Sequence, residues 1–411
     1  MCDSCCALAG DHTWFAKSSD RPVDEAQVVE AHDRRRPVGR VQAQYLSLPD
    51  AGAAAVLGSR PTWLWGFEMG LNEHGVAVGN ERVYTVRDDE SADPDHLIGM
   101  DLVRLALERA GSADQAVDVI AGLLADHGQG GVADATAGEG YYSSFLVADR
   151  GGAWIVETAG ATWAARSASS GGLAISNRLH LTDDWTAASP DLAVGSSFQD
   201  LRAPAVPTGF ADVRQAATLA AAERPDVDAR SLAAAFRHHG GGPWGRPGGD
   251  PASDPTVDPI PGPLADFDGT GVSVCMHVRG YQATAASLLA DLPADPSAPL
   301  RAWVALGSPC ASVYVPVFPA PAVGGVPALL ADEATWWRFH ALRRRVEDAH
   351  DAGDDGGLAA VHAALGPLEG ELWDEADVVA AAWRGDDDPA AAAFAASVGP
   401  RLDDALRTLG V

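Results

Sequence analysis

The sequence predicts a layered α+β fold, because strand-like runs dominate its first part and helical patterns its last. Apolar runs bounded by turn residues predict strands over 75–83, 143–148, 153–157, 271–278, 302–306 and 313–318. Apolar spacing of helical period predicts a helix over 99–110, and a capping-box match at Ser112 opens another that ends near Asp126. A short helix is expected over 231–237. Periodicity alone does not order these layers.

Two regions are expected along the chain of 411 residues, 47% of which are apolar. This length and composition supply a large core. The pattern turns helical after Pro-Ala-Pro at 319–321, notably over 333–347 and 390–409. We therefore predict a main domain over 2–318 and a helical C-terminal extension over 319–411 packed on it. The segment 238–267 is rich in Gly, Pro and Asp and is interpreted as a long loop, either a lid or a boundary insert.

The charge of the chain limits its partners. A formal net charge of −28 argues against nucleic acid and anionic membranes, which the long-range field would repel. No apolar run approaches the roughly 18 residues of a membrane-spanning helix, and the N-terminus lacks the regions of a secretory signal. A cytoplasmic location is the expectation. The sequence leaves homo-oligomerisation open.

The second residue of the chain is the main indication of chemistry. Removal of Met1 would leave Cys2 with both a thiol and a free α-amine. A thiol with an ordinary pKa of about 8.5 is mostly protonated at neutral pH, whereas an α-amine with a pKa of about 7.7–8.0 can take its proton during attack on a carbonyl. Cys2 is thus predicted to supply nucleophile and base, which is the chemistry of an N-terminal-nucleophile hydrolase.

Lys17 is the only lysine among 29 basic residues. The residues 13–17 have strand character and precede the turn signal Asp20-Arg21-Pro22, so this strand can pair as a hairpin with the one that begins at Cys2. The hairpin would place Lys17 and Asp20 near the thiol. A cation there favours thiolate.

The cysteines also permit a metal or redox interpretation, since Cys2 and Cys5 form a Cys-x-x-Cys pattern beside Cys6. Zinc needs four ligands, and Cys275, with His277 nearby, and Cys310 stand far away in sequence. We therefore expect no metal and no organic cofactor. An odd number of cysteines, five, does not indicate a disulfide framework.

Several motifs together resemble one family. The sequence Met-Cys-Asp-Ser at 1–4, followed by Phe-Ala-Lys-Ser-Ser-Asp-Arg-Pro at 15–22, is similar to the secernin-like branch of the dipeptidase family, cysteine N-terminal-nucleophile hydrolases related to bile-salt hydrolases and penicillin V acylases. The longest similar stretch is 63–81, and shorter ones lie at 156–160, 175–178, 274–277 and 308–310. The resemblance covers nearly all of 2–318. It implies a four-layer αββα sandwich.

The resemblance also implies roles for individual residues. Lys17 takes the place that arginine holds in bile-salt hydrolases, and Asp20 matches the aspartate that bonds the α-amine. By the same resemblance, Asn80 would donate to the oxyanion, and Asn177 would hold the α-amine of Cys2. Taken alone, an asparagine at either position is typical of a turn. Ser18 replaces the usual asparagine of the family pattern. No match is found for the second catalytic arginine of bile-salt hydrolases.

The sequence-based prediction is a cysteine amidohydrolase, a dipeptidase that acts on short unblocked peptides through an acyl-enzyme on Cys2. Two alternatives stay open at this point: an acylase for other linear amides, and a non-catalytic regulatory or scaffold protein of secernin type. The expected partner is a small peptide substrate. Intact Met1 would favour the scaffold, because it blocks the amine of Cys2.

Overall fold

The computed structural model describes residues 1–204, 209–239, 271–319, 325–354, 356–385 and 388–411. Two antiparallel sheets form its centre. The first sheet contains β1 (Cys2–Ala9), β2 (His12–Pro22), β14 (Gly171–Ile175), β16 (His277–Val278), β17 (Gln282–Pro293), β18 (Arg301–Leu306) and β19 (Val315–Val317). Its strand order is β14-β1-β2-β17-β18-β19, with β16 paired to β17.

The second sheet contains β3 (Gln27–His32), β6 (Val56–Pro61), β7 (Met69–Asn72), β8 (Ala77–Val83), β11 (Tyr142–Ala148), β12 (Ala153–Ala159), β13 (Thr162–Ala168) and β15 (Ala187–Ala188). Its strand order is β15-β13-β12-β11-β8-β7-β6-β3. Two separate strand pairs accompany the sheets: β4 (Arg40–Gln42) with β5 (Ser47–Pro49), and β9 (Val132–Asp134) with β10 (Glu139–Gly140).

The two sheets pack face to face. Because successive side chains of a strand point to opposite faces, each sheet has an inner and an outer face. Cys6 and Phe15 of the first sheet share one buried cluster with Leu71 and Leu146 of the second. These side chains define the inner faces, and the outer faces remain for helices.

Helices cover the outer face of the second sheet. These helices are α1 (Gly99–Arg109) and α2 (Ala113–His127). Leu102 of α1 and Ile120 of α2 are buried with Val78 and Phe145 of the sheet. The Ser112 hydroxyl accepts a hydrogen bond from the Gln115 N–H, as the capping pattern predicts.

The outer face of the first sheet is covered by α3 (Gly209–Ala222) and α4 (Ala229–Phe236). Ala222 and Phe236 are buried with Cys5 and Ala16 of the sheet. The described layers are therefore helix, sheet, sheet and helix, which confirms the predicted αββα architecture. Helix α3 was not predicted, because its alanine-rich sequence shows no clear apolar stripe.

The C-terminal part is helical, as expected. It contains α5 (Glu333–Asp351), α6 (Gly356–Ala381) and α7 (Pro389–Thr408). Trp336, Leu372 and Phe394 belong to the same buried cluster as the inner faces of the sheets. The Trp336 Nε1–H also donates to the carbonyl of Ala285 in β17 at 2.8 Å. These contacts hold the C-terminal helices against the first sheet.

Two sequence-based predictions lie partly outside the described residues. The predicted loop over 238–267 falls there from residue 240 onward, and the boundary between 2–318 and 319–411 adjoins 320–324. The division into two domains remains a prediction. Within the described residues, no helix combines the length and the apolar character that a membrane span requires.

Candidate active site

The predicted hairpin of β1 and β2 is present and sets the geometry around Cys2. Cys2 pairs with Ser19 and Ser4 with Lys17. Because directly paired and alternate residues of an antiparallel pair share a face, Cys2 and Lys17 lie on the same face of the first sheet. The Ser4 hydroxyl donates to Glu81 Oε1 of β8 at 2.5 Å, so this is the inner face, directed at the second sheet.

The Cys2 thiol is buried, with the residue only 5% exposed. The backbone N–H of Asp20 donates to its Sγ at 3.4 Å. Burial raises the pKa of the thiol, and the positive charge of Lys17 acts in the opposite direction. Lys17 thus provides the largest local stabilisation of the thiolate.

Lys17 is held as a buried cation. Its Nζ donates to the carbonyl of Ser18 at 3.1 Å and lies 3.7 Å from Glu68 Oε2. Burial lowers the pKa of this ammonium, but the charges of Cys2, Glu81 and Glu68 outweigh that effect and the pKa is raised. The ammonium therefore remains charged in the interior.

Strand β8 of the facing second sheet leaves room for the aliphatic part of the Lys17 side chain. A Cβ placed on Gly79 of β8 would lie 2.5 Å from Lys17 Cδ and 3.1 Å from the Phe15 ring. No other residue fits there without displacing the stem, since real Cβ contacts are not this short. Gly79 thus permits the close approach of the two sheets at the nucleophile.

A second cation, Arg21, anchors the carboxylate that faces Lys17. Arg21 NH1 donates to Glu68 Oε1 at 3.1 Å and to the Tyr141 hydroxyl at 3.0 Å. Its NH2 donates to the carbonyl of Ala133 at 2.8 Å. Sequence reasoning gave Arg21 and Tyr141 no role, although Arg21 belongs to the motif at 15–22. The arrangement fixes Glu68 between two cations.

Asn177 aims its amide oxygen at the backbone nitrogen of Cys2. Its Oδ1 accepts from the Cys2 N–H at 2.8 Å and from Arg214 NH2 at 2.7 Å. Its Nδ2 donates to the carbonyl of Arg82 at 2.9 Å. The amide oxygen contacts two donors and the amide nitrogen contacts an acceptor, so the orientation of the amide is determined. An acceptor is therefore in place for an α-amine on Cys2.

Arg214 was missed by the sequence analysis and lies next to Cys2. It extends from α3, is buried, and donates through NH1 to Asp3 Oδ2 at 2.6 Å and to the Cys2 carbonyl at 3.2 Å. Burial lowers the pKa of its guanidinium, and the carboxylates of Asp3 and Asp20 more than offset this. A second arginine beside the nucleophile thus exists, on a helix that no quoted motif includes.

The Asp20 carboxylate lies between Thr284 and Arg214. Its Oδ1 accepts from the Thr284 hydroxyl at 2.7 Å, and its Oδ2 is 4.0 Å from Arg214 NH1. Among the described residues Oδ2 has no hydrogen-bond partner. Burial raises the pKa of Asp20 to about 6. One carboxylate oxygen is therefore available to a further donor above that pH.

The Asn80 side chain is directed at Ser143 and Met100. Its neighbours in β8 face the first sheet, so its own side chain points to the opposite face. Its Nδ2 lies 3.3 Å from Ser143 Oγ and 3.5 Å from Met100 Sδ, and its backbone N–H donates to the Glu68 carbonyl at 3.2 Å. These contacts engage both donors that an oxyanion would need.

Comparison with solved structures finds matches at low identity and low TM-score. No protein-family model matches the sequence. Penicillin V acylase from Agrobacterium tumefaciens is 11% identical, with 77% of this chain and 86% of that chain covered and a TM-score of 0.38. A variant of conjugated bile acid hydrolase from Clostridium perfringens is 11% identical, with 73% and 88% covered and a TM-score of 0.42. The Caenorhabditis elegans ortholog of N-acylethanolamine-hydrolyzing acid amidase is 11% identical, with 72% and 94% covered and a TM-score of 0.37.

The first two of these names belong to the enzyme classes to which the sequence resemblance relates the chain. The secernin-like assignment itself stays a prediction. At these identities and scores, the chemistry of the site rests on the contacts of this chain's own residues.

Replacing Lys17 by Met is expected to shift the ionisation of the Cys2 thiol. Loss of the buried cation should raise the thiol pKa by about 1–3 units, because an opposite charge nearby favours the ionised form by that amount. The rate of alkylation of Cys2 by iodoacetamide, measured against pH with peptide mapping, reports this without a substrate. Lys17→Arg is the matched control, since it keeps the charge. An alkylation profile of Lys17→Met that coincides with wild type would contradict the role of Lys17.

Proposed function

We propose that the protein is a cysteine N-terminal-nucleophile amidohydrolase that becomes active when Met1 is removed. One observation carries the proposal: the Cys2 nitrogen faces the Asn177 oxygen at 2.8 Å while its thiol accepts from the Asp20 N–H at 3.4 Å. Nucleophile, prospective base and their partners thus meet at a single residue. Any buried backbone N–H needs an acceptor, but a structural cysteine has no need of a buried cation beside its thiol.

Removal of Met1 would convert the Cys2 amide into an amine in a prepared environment. The new ammonium would keep Asn177 Oδ1 as acceptor, and the available Asp20 Oδ2 lies in the same cluster, 4.0 Å from Arg214. The ammonium of Met1 is itself buried, which lowers its pKa. An α-amine at Cys2 would experience similar burial, and an amine with a lowered pKa is a better proton acceptor near neutral pH.

The proposed reaction proceeds in two halves. The α-amine of Cys2 takes the thiol proton, and the thiolate attacks the scissile carbonyl carbon to give a tetrahedral oxyanion. The α-ammonium then returns a proton to the leaving amine, the carbon–nitrogen bond breaks, and an acyl-enzyme remains on sulfur. Water, deprotonated by the same amine, releases the acid and restores the thiol.

Stabilisation of the oxyanion requires a donor near the thiol. The sequence resemblance gives this role to Asn80, whose amide instead contacts Ser143 and Met100. The Tyr141 hydroxyl is the second candidate, because it accepts from Arg21 NH1 at 3.0 Å and its own O–H, directed at Met100 Sδ at 3.5 Å, is a donor.

The contacts of Met1 indicate which kind of substrate the site binds. Its ammonium donates to Gln282 Oε1 at 2.7 Å and to the Asp20 carbonyl at 3.3 Å. Its side chain packs against the buried cluster of Val272, Met276 and Val278. A substrate that takes this space after Met1 leaves would be recognised by the same contacts. This supports a substrate with a free amino end and an apolar first side chain, as in a dipeptide.

Glu68, Glu73 and Glu81 of the stretch 63–81, with Arg82 and Arg178, are candidates for holding the charged ends of a dipeptide. Glu68 and Glu81 are buried among the residues around Lys17, and Glu73 instead pairs with Arg34 at 2.6 Å. Arg82 and Arg178 each have an Nε without a hydrogen-bond partner in the described part of the chain. Both flank Asn177, in sequence or by hydrogen bond. These two guanidiniums are the proposed partners of a substrate carboxylate.

The mature chain is predicted to begin at Cys2. Cys2 is small enough for ordinary methionine removal, and the mechanism needs its amine. Intact-mass spectrometry of the active preparation should show a chain lighter by one methionine residue. Cys2→Ala is the control, since it permits the same removal but lacks the thiol; it should be processed and inactive. Full activity in a preparation that retains Met1 throughout would rule out the amine as base.

Unblocked dipeptides are predicted to be better substrates than their N-acetylated counterparts, by at least about tenfold in kcat/KM, since one lost hydrogen bond to a charged group is worth about 1.5–3 kcal/mol. Gln282→Leu should remove most of this preference by raising KM for the free dipeptide. Gln42→Leu, at a residue whose amide donates to the adjacent Ala43 carbonyl, is the control and should retain it.

The other outcomes discriminate between the alternatives. Equal rates on free and acetylated substrates would favour an acylase for general linear amides. No hydrolysis of either by protein that lacks Met1 would favour the non-catalytic scaffold.

A further inference from the structure

Four potential metal ligands from distant parts of the sequence lie close together beside β16 of the first sheet. Donor atoms of His239, Cys275, His277 and Cys310 all lie within 4.8 Å of one another. The Cys275 and Cys310 sulfurs are 3.5 and 3.3 Å from His277 Nε2. The rings of His239 and His277 meet edge to face, with centroids 5.0 Å apart. The sequence-based expectation of no metal rested on the separation of these residues along the chain, which the fold removes.

The spacing matches a tetrahedral zinc site. Zinc binds thiolate at about 2.3 Å and imidazole at about 2.0–2.1 Å, so the ligand atoms of a regular tetrahedron lie about 3.3–3.8 Å apart. The distances of 3.3 and 3.5 Å from the two sulfurs to His277 Nε2 fall in this range. The remaining separations are all within 4.8 Å, about 1 Å above the tetrahedral range.

The imidazole of His277 is oriented as a ligand. Its Nδ1 lies 2.9 Å from Glu347 Oε1, and Arg343 NH1 donates to both oxygens of that carboxylate at 2.9 and 3.0 Å. A carboxylate bound by a cation accepts, so Nδ1 donates and Nε2 presents its lone pair to the sulfurs. A carboxylate that fixes the ligating tautomer of a histidine is the usual arrangement around protein-bound zinc.

We propose that His239, Cys275, His277 and Cys310 bind one zinc ion as a closed structural site. Two thiolates and two imidazoles suit zinc and exclude magnesium and calcium, which take oxygen ligands. Four protein ligands leave no position for water or substrate, so the ion stabilises structure and takes no part in hydrolysis.

The site connects separate elements of the fold. His277 begins β16, Cys310 lies in the 3-10 turn Pro309–Ala311, His239 follows α4, and the Glu347 that orients His277 belongs to α5. One ion would thus cross-link the first sheet to the segment after α4 and to the C-terminal helices. Such a cross-link stabilises the folded state by the free energy of metal binding.

Two successive hydrogen bonds connect the site to Asp20, which lies beside the nucleophile. The Met276 N–H donates to Thr284 Oγ1 at 2.8 Å, and the Thr284 hydroxyl donates to Asp20 Oδ1 at 2.7 Å. Because Met276 stands between two ligands, the ion would fix the backbone that positions Asp20. This link to catalysis rests on the proposed function; the binding of zinc does not.

Metal analysis of the full chain, purified without chelator, tests the proposal. One zinc per chain is expected in wild type, and less than about a tenth of that in Cys310→Ser and in Cys275→Ser, since one lost ligand weakens binding strongly. Cys6→Ala is the matched control, because Cys6 is a buried cysteine of the inner core outside the cluster. It should retain the full zinc content.

Cobalt(II) substitution supplies a readout that needs only the wild-type chain, in case a variant does not fold. A tetrahedral site with two thiolates gives an intense thiolate-to-cobalt charge-transfer absorption, which zinc should displace. Absence of that absorption, a zinc content far below one per chain, or an intact mass two hydrogens lighter from a Cys275–Cys310 disulfide would each overturn the proposal. Dipeptide hydrolysis measured in parallel separates the two proposals, since zinc without hydrolysis refutes only the catalytic one.

Discussion

The arrangement depends on one buried charge, the ammonium of Lys17 between the two sheets. An isolated ammonium in a protein interior costs several kcal/mol of solvation free energy and must be compensated by partners. Glu68 at 3.7 Å, itself held by Arg21, supplies that compensation. Because burial raises the pKa of Glu81 to about 8, this carboxyl is largely protonated at neutral pH. Lys17 therefore retains positive charge to act on the thiol.

Different charged groups lie on the two faces of β1 around Cys2. On the inner face, Lys17 acts on the thiol, and on the outer face Arg214 binds Asp3, the Cys2 carbonyl and Asn177. The sulfur and the backbone nitrogen of Cys2 thus have separate electrostatic environments. This separation allows one residue to combine a stabilised thiolate with an amine that is held by neutral and anionic acceptors.

Local patterns in the sequence were sufficient for the hairpin, because Cys2 and Lys17 lie within one strand–turn–strand unit. The position of Asn177 after a strand could also be predicted from the sequence. Arg214 could not be predicted, since its helix lacks a clear apolar stripe and its partners Asp3 and Cys2 lie 211 and 212 residues earlier. The side of β8 on which Asn80 points depends on which face of that strand is buried between the sheets, and sequence alternation does not determine that.

The most direct test of the proposed chemistry is to trap the acyl-enzyme. The processed chain is mixed with an activated ester of an apolar amino acid that has a free amino group, quenched in acid within the first turnover, and mapped by mass spectrometry. The account predicts one acyl group per chain on the peptide that begins with Cys2, and none in Cys2→Ala, in which Met1 removal is preserved. An acyl group on another residue, or hydrolysis by Cys2→Ala at the wild-type rate, would contradict it.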